Sequence, residues 1–264
     1  MSHISARGVD LWVEQTGDGD DVLFIAGLAD EGACWAAQAA DLGDSYRVTT
    51  FDNRGVGRSS TPGGDYRIVD FADDTLALMD ALGIARAHVV GSSMGGAIAQ
   101  ELTLRNPERV RSLVLHGTWC KTDPYFREAV RSWQLLARGA PSQREFFLAV
   151  NVWFVAPYIY DDGTIERWAT ATEENLHPQS VDAFCRSAEA LLTHDSRARL
   201  GQISCPTLVT VGSLDICTPR RFAEQLVDLI AGAELHVFEG AGHMPYVEDP
   251  SRFTHVIRRF LSGK

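Results

Sequence analysis

The sequence predicts an α/β fold in which a parallel sheet is covered by helices and interrupted by a helical insertion. Short apolar runs rich in β-branched residues alternate with helical patterns over residues 1–118, and this alternation returns over residues 200–264. Residues 119–199 show helical patterns alone. A chain of 264 residues is long enough for one large domain with such an insertion.

The elements before the insertion follow in order. The stretch "ARGVDLWVEQTGDGDDVLFIAG" predicts short strands joined by a Gly/Asp turn, and "ACWAAQAADL" predicts a helix. "YRVTTFD" predicts a strand that ends in a glycine-rich loop. In "IVDFADDTLALMDALGI", Phe71, Thr75, Leu78 and Leu82 fall on one helical face. "AHVVG" and "VRSLVLHG" predict strands on either side of a helix that ends at Pro107.

The inserted segment is rich in aromatic residues, and strands return beyond it. "PTLVTVG" and "AELHVFEG" predict strands, and "PRRFAEQLVDLI" and "DPSRFTHVIRRFL" predict helices. Most aromatic residues of the insertion belong in a core, but a cap over a site would expose some of them to a ligand. The residues expected to line a substrate pocket are Trp119, Trp153, Phe154, Tyr158 and Met244.

Composition argues against several classes of partner. The net charge of −11 and the pI near 5.1 disfavour nucleic acid and anionic membranes, both of which repel an acidic surface. The five cysteines are scattered without a CxxC pair, so we expect reduced thiols and neither disulfides nor a zinc site. With no signal peptide or membrane-spanning run in view, we expect a cytoplasmic monomer or homodimer.

The stretch "VVGSSMGG" is the strongest chemical signal. It lacks the lysine of a phosphate-binding loop and the spacing of a dinucleotide loop, but it contains G-x-S-x-G between a predicted strand and a predicted helix. That context indicates a nucleophile elbow, whose sharp turn needs small flanking residues. Gly91 and Gly95 flank Ser93, whereas a motif centred on Ser92 would be flanked by larger side chains. Ser93 is therefore the candidate nucleophile; a glycine-rich turn without chemistry is the alternative.

A serine nucleophile needs a base, and the base needs an acid to orient it. Among the eight histidines, His243 stands in the glycine-rich loop "EGAGHMPYVEDP" after the last predicted strand. Asp215 follows a strand and precedes a helix, as an acid at the sheet edge would. Asp123, after the preceding strand, is the second candidate.

These motifs, together with "FDNRGVGRSS" and "GSLDICTP", resemble those of the α/β-hydrolases of the small, capped esterase and lactonase type. The chain looks most similar to enol-lactonases acting on 3-oxoadipate enol-lactone and to general carboxylesterases. The resemblance implies an eight-stranded, mostly parallel sheet and a triad of Ser93, Asp215 and His243, with no metal or cofactor. A serine at the elbow argues against relatives that use aspartate there, the haloalkane dehalogenases and epoxide hydrolases.

The resemblance also assigns the oxyanion hole to the backbone N–H groups of Leu28 and Met94. Relatives of this type usually carry His-Gly after the third strand, whereas this chain has Ala26 before Gly27. The backbone N–H donors do not depend on the side chain at position 26, but the contacts that support this loop differ from those in the relatives.

The expected activity is hydrolysis of a carboxylic ester or lactone through an acyl-enzyme on Ser93. The apolar insertion favours a medium-sized hydrophobic substrate, and an anionic one would need a cation from elsewhere, such as Arg54 or Arg127. A ligand receptor with slow turnover and a biosynthetic thioesterase or acyltransferase are the alternatives.

Overall fold

The computed structural model describes residues 1–263 and shows an eight-stranded sheet with helices on both faces. The strand order is β1-β2-β4-β3-β5-β6-β7-β8. The first two strands pair antiparallel, β2 also pairs antiparallel with β4, and every pairing from β4 to β8 is parallel. This arrangement confirms the predicted α/β fold with a mostly parallel sheet.

The strands are β1 Ser2–Ala6, β2 Val9–Thr16, β3 Asp20–Ile25, β4 Tyr46–Phe51, β5 Ala87–Ser92, β6 Val110–His116, β7 Thr207–Gly212 and β8 Glu234–Phe238. The helices are α1 Ala36–Leu42, α2 Ile68–Ala81, α3 Met94–Arg105, α4 Pro124–Gly139, α5 Gln143–Asn151, α6 Tyr158–Asp161, α7 Thr164–Glu173, α8 Val181–Leu192, α9 Arg220–Leu229, α10 Pro245–Glu248 and α11 Pro250–Leu261. The sequence patterns did not predict the single turn α10, which follows His243 directly.

Two apolar layers cover the two faces of the sheet. Successive residues of a strand point to opposite faces, so Val89 of β5 packs in one cluster with α2 and α3, and Val90 packs in the other with α1 and α11. All six residues of β5 are buried, as expected for a central parallel strand covered on both sides. The carboxyl end of β5, which Ser93 follows, is therefore anchored in the core.

The insertion between β6 and β7 contains helices α4 to α8 and forms a cap on the sheet edge. A β-bridge and a 2.6 Å ion pair between Lys121 and Asp195 join its two ends. Phe126 and Trp133 of α4 belong to the same apolar cluster as the strand residues below them. The cap thus shares its core with the sheet, and most of its aromatic residues are structural.

The strand order reverses direction beside β3, which lies between β4 and β5. In open α/β sheets such a switch point leaves a crevice at the carboxyl ends of the strands, where ligands bind. The loop after β3 and the turn after β5 meet at this crevice. Within residues 1–263, no helix combines the length and the apolarity that crossing a bilayer requires.

Candidate active site

The turn between β5 and α3 holds Ser93 in an unusual backbone conformation, with φ of 55° and ψ of −118°. Its neighbours must be small: a methyl group on Gly95 would lie 2.1 Å from the Ile25 carbonyl oxygen, and one on Gly91 would lie 2.3 Å from the Gly95 oxygen. Backbone strain of this kind persists where the surrounding structure enforces it, often at functional sites. The side chain of Ser93 is 7% exposed and lines a cavity beneath the cap.

His243 lines the same cavity and is held by a buried carboxylate. Its Nδ1 lies 2.7 Å from Oδ2 of Asp215. The Asp215 carboxylate also accepts the backbone N–H of Thr218 through Oδ1 and the Thr218 hydroxyl through Oδ2. The remaining ring nitrogen, Nε2, is buried and has no hydrogen-bond partner among residues 1–263. An imidazole fixed through Nδ1 with a free Nε2 has the form of a general base.

The electrostatics of this pair have clear causes. Burial alone would raise the pKa of Asp215, but the charge of His243 and the hydrogen bonds it and Thr218 donate lower that pKa below its usual value. Burial alone would lower the pKa of His243, but the Asp215 carboxylate outweighs it and raises that pKa above its usual value. Each partner therefore stabilises the charged form of the other.

The His243 loop is anchored from the sheet and from the cap. Nε2 of the buried His116 lies 2.9 Å from the carbonyl oxygen of His243, and its Nδ1 lies 2.8 Å from Oγ1 of Thr210. Burial lowers the pKa of His116 to about 4, so it is a neutral support at neutral pH. From the cap, the Phe154 carbonyl accepts a 2.7 Å hydrogen bond from the backbone N–H of His243.

The two predicted oxyanion donors come from two segments: Leu28 lies in the loop after β3, and Met94 begins α3 directly after Ser93. Among the described residues, no protein acceptor pairs with the backbone N–H of Leu28 or Met94, so both groups are free to bind another oxygen. In place of the usual histidine, the buried Ala26 is held through its carbonyl by the side-chain amide of Asn53. Ala29, with φ of 66°, is one of three non-glycine residues in residues 1–263 with positive φ; Ser93 is another.

The cavity has a volume of about 900 Å³ and a mostly apolar lining. Of the five residues predicted for the pocket, Phe154 and Met244 line it. Trp119, Trp153 and Tyr158 do not, which corrects that part of the prediction. Trp119 is fully buried against Phe126 and Trp153 packs on the core, while Tyr158 is 43% exposed.

The charged residues at the cavity are acidic. Within residues 1–263, its lining includes Asp30, Glu31 and Glu174 but no lysine or arginine. Neither suggested source of positive charge reaches it: Arg54 is paired at 2.6 Å with Asp74, and Arg127 is absent from the lining.

The second candidate acid, Asp123, has a structural role. Its side chain accepts the backbone N–H of Phe126 at the start of α4 and pairs with Arg221. It therefore caps a helix, and only Asp215 is bonded to His243.

One group of residues has the spacing of a metal site: Asp215, Cys217 and His243 place potential ligand atoms within 4.8 Å of one another. Burial raises the pKa of the Cys217 thiol, which disfavours the thiolate that a metal requires. A metal there would also compete for the carboxylate and imidazole that bond to each other. All five cysteines are free.

Sequence reasoning missed four residues around the site: Asp30, His116, Thr218 and Glu248. Thr218 could have been found, since a hydroxyl three residues after Asp215 at a helix start suits a carboxylate partner. His116, in a strand, and Glu248, in α10, carry no local signal, because His116 bonds to His243 and Glu248 bonds to Ala156, both far away in sequence.

Comparisons with known proteins agree with this architecture. Residues 21–250 match the model of the alpha/beta hydrolase fold family, and the chain belongs to that family. It is 30% identical to the protein named "Putative carbamate hydrolase RutD" of Caulobacter sp. strain K31, over 94% of this chain and 92% of the relative. It is 32% identical to 3-oxoadipate enol-lactonase 2 of Acinetobacter baylyi, over 91% and 88% of the two chains. The enol-lactonase structure from Burkholderia xenovorans LB400 superposes with a TM-score of 0.88 at 27% identity, covering 98% and 99%.

The resemblance to α/β-hydrolases of the esterase and lactonase type is therefore confirmed, and the protein is a hydrolase of this family.

Proposed function

We propose that the protein hydrolyses carboxylic esters or lactones through an acyl-enzyme on Ser93. The observation that carries this proposal is the base opposite that serine. His243 lines the same cavity as Ser93, its Nδ1 is bonded to Asp215, and its Nε2 is buried without a partner. A buried ring nitrogen without a partner suits an atom that exchanges a proton during a reaction.

In the first half-reaction, Nε2 of His243 takes the proton of the Ser93 hydroxyl while Oγ attacks the carbonyl carbon. The backbone N–H groups of Leu28 and Met94 stabilise the oxyanion, each contributing about 3 kcal/mol. The carbon–oxygen bond to the leaving group breaks, and that oxygen takes the proton from Nε2. In the second half-reaction, water gives a proton to Nε2 and attacks the acyl carbon. The bond between that carbon and Oγ of Ser93 then breaks, Oγ takes the proton from Nε2, and the acid leaves.

The cavity indicates the class of substrate. A volume of about 900 Å³ lies in the upper part of the range for small-molecule sites and far exceeds a simple carbamate. The lining is acidic, and the described part of the chain contributes no lysine or arginine to it. Such a lining disfavours an anionic acyl group, such as the carboxylate that a 3-oxoadipate enol-lactone retains. We therefore infer a medium-sized, largely apolar ester or lactone that carries no negative charge.

The test is turnover of p-nitrophenyl esters and neutral lactones by the wild type, Ser93→Ala and Ser92→Ala. Ser92 is a matched control because it is the adjacent serine, is fully buried and does not line the cavity. Ser93→Ala should lower kcat by about 10⁴-fold or more, whereas Ser92→Ala should retain most activity. Intact-mass measurement during turnover should show the acyl group on the wild type; equal activity in all three proteins would refute the mechanism.

A further inference from the structure

A carboxyl group without a charged partner stands beside the candidate nucleophile. Asp30 lines the cavity two residues after the predicted oxyanion donor Leu28. A methyl group placed on Gly27 would lie 3.0 Å from Oδ2 of Asp30 and 3.4 Å from Cβ of Ser93, so both side chains border the same small volume. Asp30 is therefore placed to contact the part of a substrate next to the scissile carbonyl.

The protein satisfies this carboxyl group incompletely. Its one hydrogen bond among residues 1–263 comes from the hydroxyl of Tyr246, at 3.2 Å to Oδ2. None of the lysines and arginines that the structure describes lines the cavity, and Glu31 adds another negative charge nearby. Burial, partly offset by Tyr246 and His243, raises the pKa of Asp30 to about 6. A carboxylate so poorly compensated by the protein is open to a partner supplied by a ligand.

The charge of Asp30 also bears on the chemistry. A carboxylate close to the oxyanion hole disfavours the negative charge that develops on the carbonyl oxygen, unless a positive group lies between or beside them. A substrate ammonium at that point would pair with Asp30 and remove this penalty. The same carboxylate would repel a substrate of equal acyl length that carries a carboxylate in place of the ammonium group.

We propose that Asp30 is a specificity-determining residue that binds an ammonium group on the acyl part of the substrate. The site then prefers amino esters over neutral esters of the same shape and excludes anionic ones. This proposal rests on the ester hydrolysis proposed above and names its substrate class.

Three benzyl esters of equal acyl length test it: γ-aminobutyrate, pentanoate and monobenzyl glutarate, which place a cation, a methyl group and a carboxylate at the same position. At pH 8 the wild type should show kcat/KM highest for the cationic ester, at least about tenfold above the neutral one, and lowest for the anionic one. Wild-type preference for the neutral or the anionic ester would overturn the proposal.

Two variants distinguish a direct contact between Asp30 and the substrate from a general effect of the negative charge around the cavity. Asp30→Asn should bring the three kcat/KM values to within about threefold of one another, mainly by lowering the cationic value and raising the anionic one. Glu31→Gln removes an equal charge one residue further on, where its side chain accepts a hydrogen bond from Asn175. Glu31→Gln should leave the ranking unchanged, and an equal effect of the two substitutions would refute a direct role of Asp30.

A thermal readout checks the Asp30→Asn variant itself. Because the folded-state pKa of Asp30 is raised, its ionisation above about pH 6 destabilises the fold. Asp30→Asn should therefore raise Tm at pH 8 more than at pH 5, and no difference between the two would contradict an unpaired carboxylate. Ser93→Ala distinguishes the two proposals: activity that survives it refutes the mechanism, whereas abolished activity with no charge preference in the wild type refutes the role of Asp30 alone.

Discussion

At the scale of single residues, the site depends on backbone positions that admit no side chain. Ser93 takes its conformation because the two flanking glycines let β5, α3 and the end of β3 approach closely. This requirement is local enough for the G-x-S-x-G spacing to predict it. The direction in which other residues point is not local, and Asp30 is the clearest example.

Gly95→Ala should damage both the fold and the activity. The added methyl group would lie 2.1 Å from the Ile25 oxygen, so β3 or α3 must shift, at a cost of at least about 2 kcal/mol of unfolding free energy. Urea denaturation and ester turnover measure the two effects. Gly139→Ala is the control, because a methyl group there meets nothing within 4 Å; equal losses in both variants would contradict the packing argument.

Asp215→Asn should change the pH profile as well as the rate. His243 must be neutral to act as a base, and its pKa is raised by Asp215, so kcat/KM in the wild type should rise with pH along a limb centred above about 6.5. Removal of the carboxylate should move that limb to lower pH and lower kcat by about 10⁴-fold. An unchanged profile would show that another acid supports His243, and Asp123→Asn, at the helix cap, is the control.

At the scale of elements, the cap is hydrogen-bonded to the loop between β8 and α10 that carries His243, called the base loop here. Glu248 of α10 accepts the backbone N–H of Ala156 in the cap at 3.1 Å and that of Gly242 in the base loop at 2.9 Å. The cap backbone also bonds to the His243 N–H directly. The cap therefore positions the base in addition to covering the cavity.

Glu248→Ala should leave two partly buried N–H groups without acceptors, at a cost of about 1–3 kcal/mol each. We expect a lower Tm and a fall in kcat that exceeds the change in KM, because the loop carrying His243 loosens. Tyr158→Phe removes only the third contact of Glu248, a 3.3 Å bond at an exposed hydroxyl, and should be nearly neutral. A Glu248→Ala variant with reduced Tm but wild-type kcat would contradict the positioning role.

At the scale of the whole molecule, buried neutral histidines should make the protein sensitive to acid. Burial lowers the pKa of His88, His116 and His194 to about 4 in each case. The unfolded chain takes up these protons near pH 6.5, so the stability they contribute is complete above about pH 6.5 and is lost as the pH falls toward 4. Groups whose pKa is raised, Asp30 and His243 among them, act in the opposite direction and offset part of this loss.

Urea unfolding at pH 7 and pH 5 measures this effect, and the free energy of unfolding should fall by at least about 2 kcal/mol. His88→Gln removes one titrating ring, which lies 2.7 Å from the Ser112 hydroxyl, and should reduce the fall. A stability that does not change between these pH values would contradict the assignment of buried neutral rings.

Sequence patterns alone predict the fold class, the helical insertion, the turn at Ser93 and the chain order of the candidate acid and base. These features follow from local causes: the period of apolar residues, the need for glycine at a sharp turn, and loops that must follow strands at one sheet edge. The predicted roles of Leu28 and Met94 depended on the family resemblance, since a backbone N–H leaves no mark in the side chains.

Which side chains border the cavity depends on the packing of the whole chain and could not be predicted from sequence patterns. Trp119 was predicted to line it but is buried in the core, whereas Asp30, with no motif of its own, borders it. Likewise His116 bonds to the carbonyl of His243 and Glu248 bonds to Ala156 in the cap, each across a long stretch of sequence. The physical reason is that packing between elements far apart in sequence sets the direction of each side chain, and neither residue type nor local period contains that information.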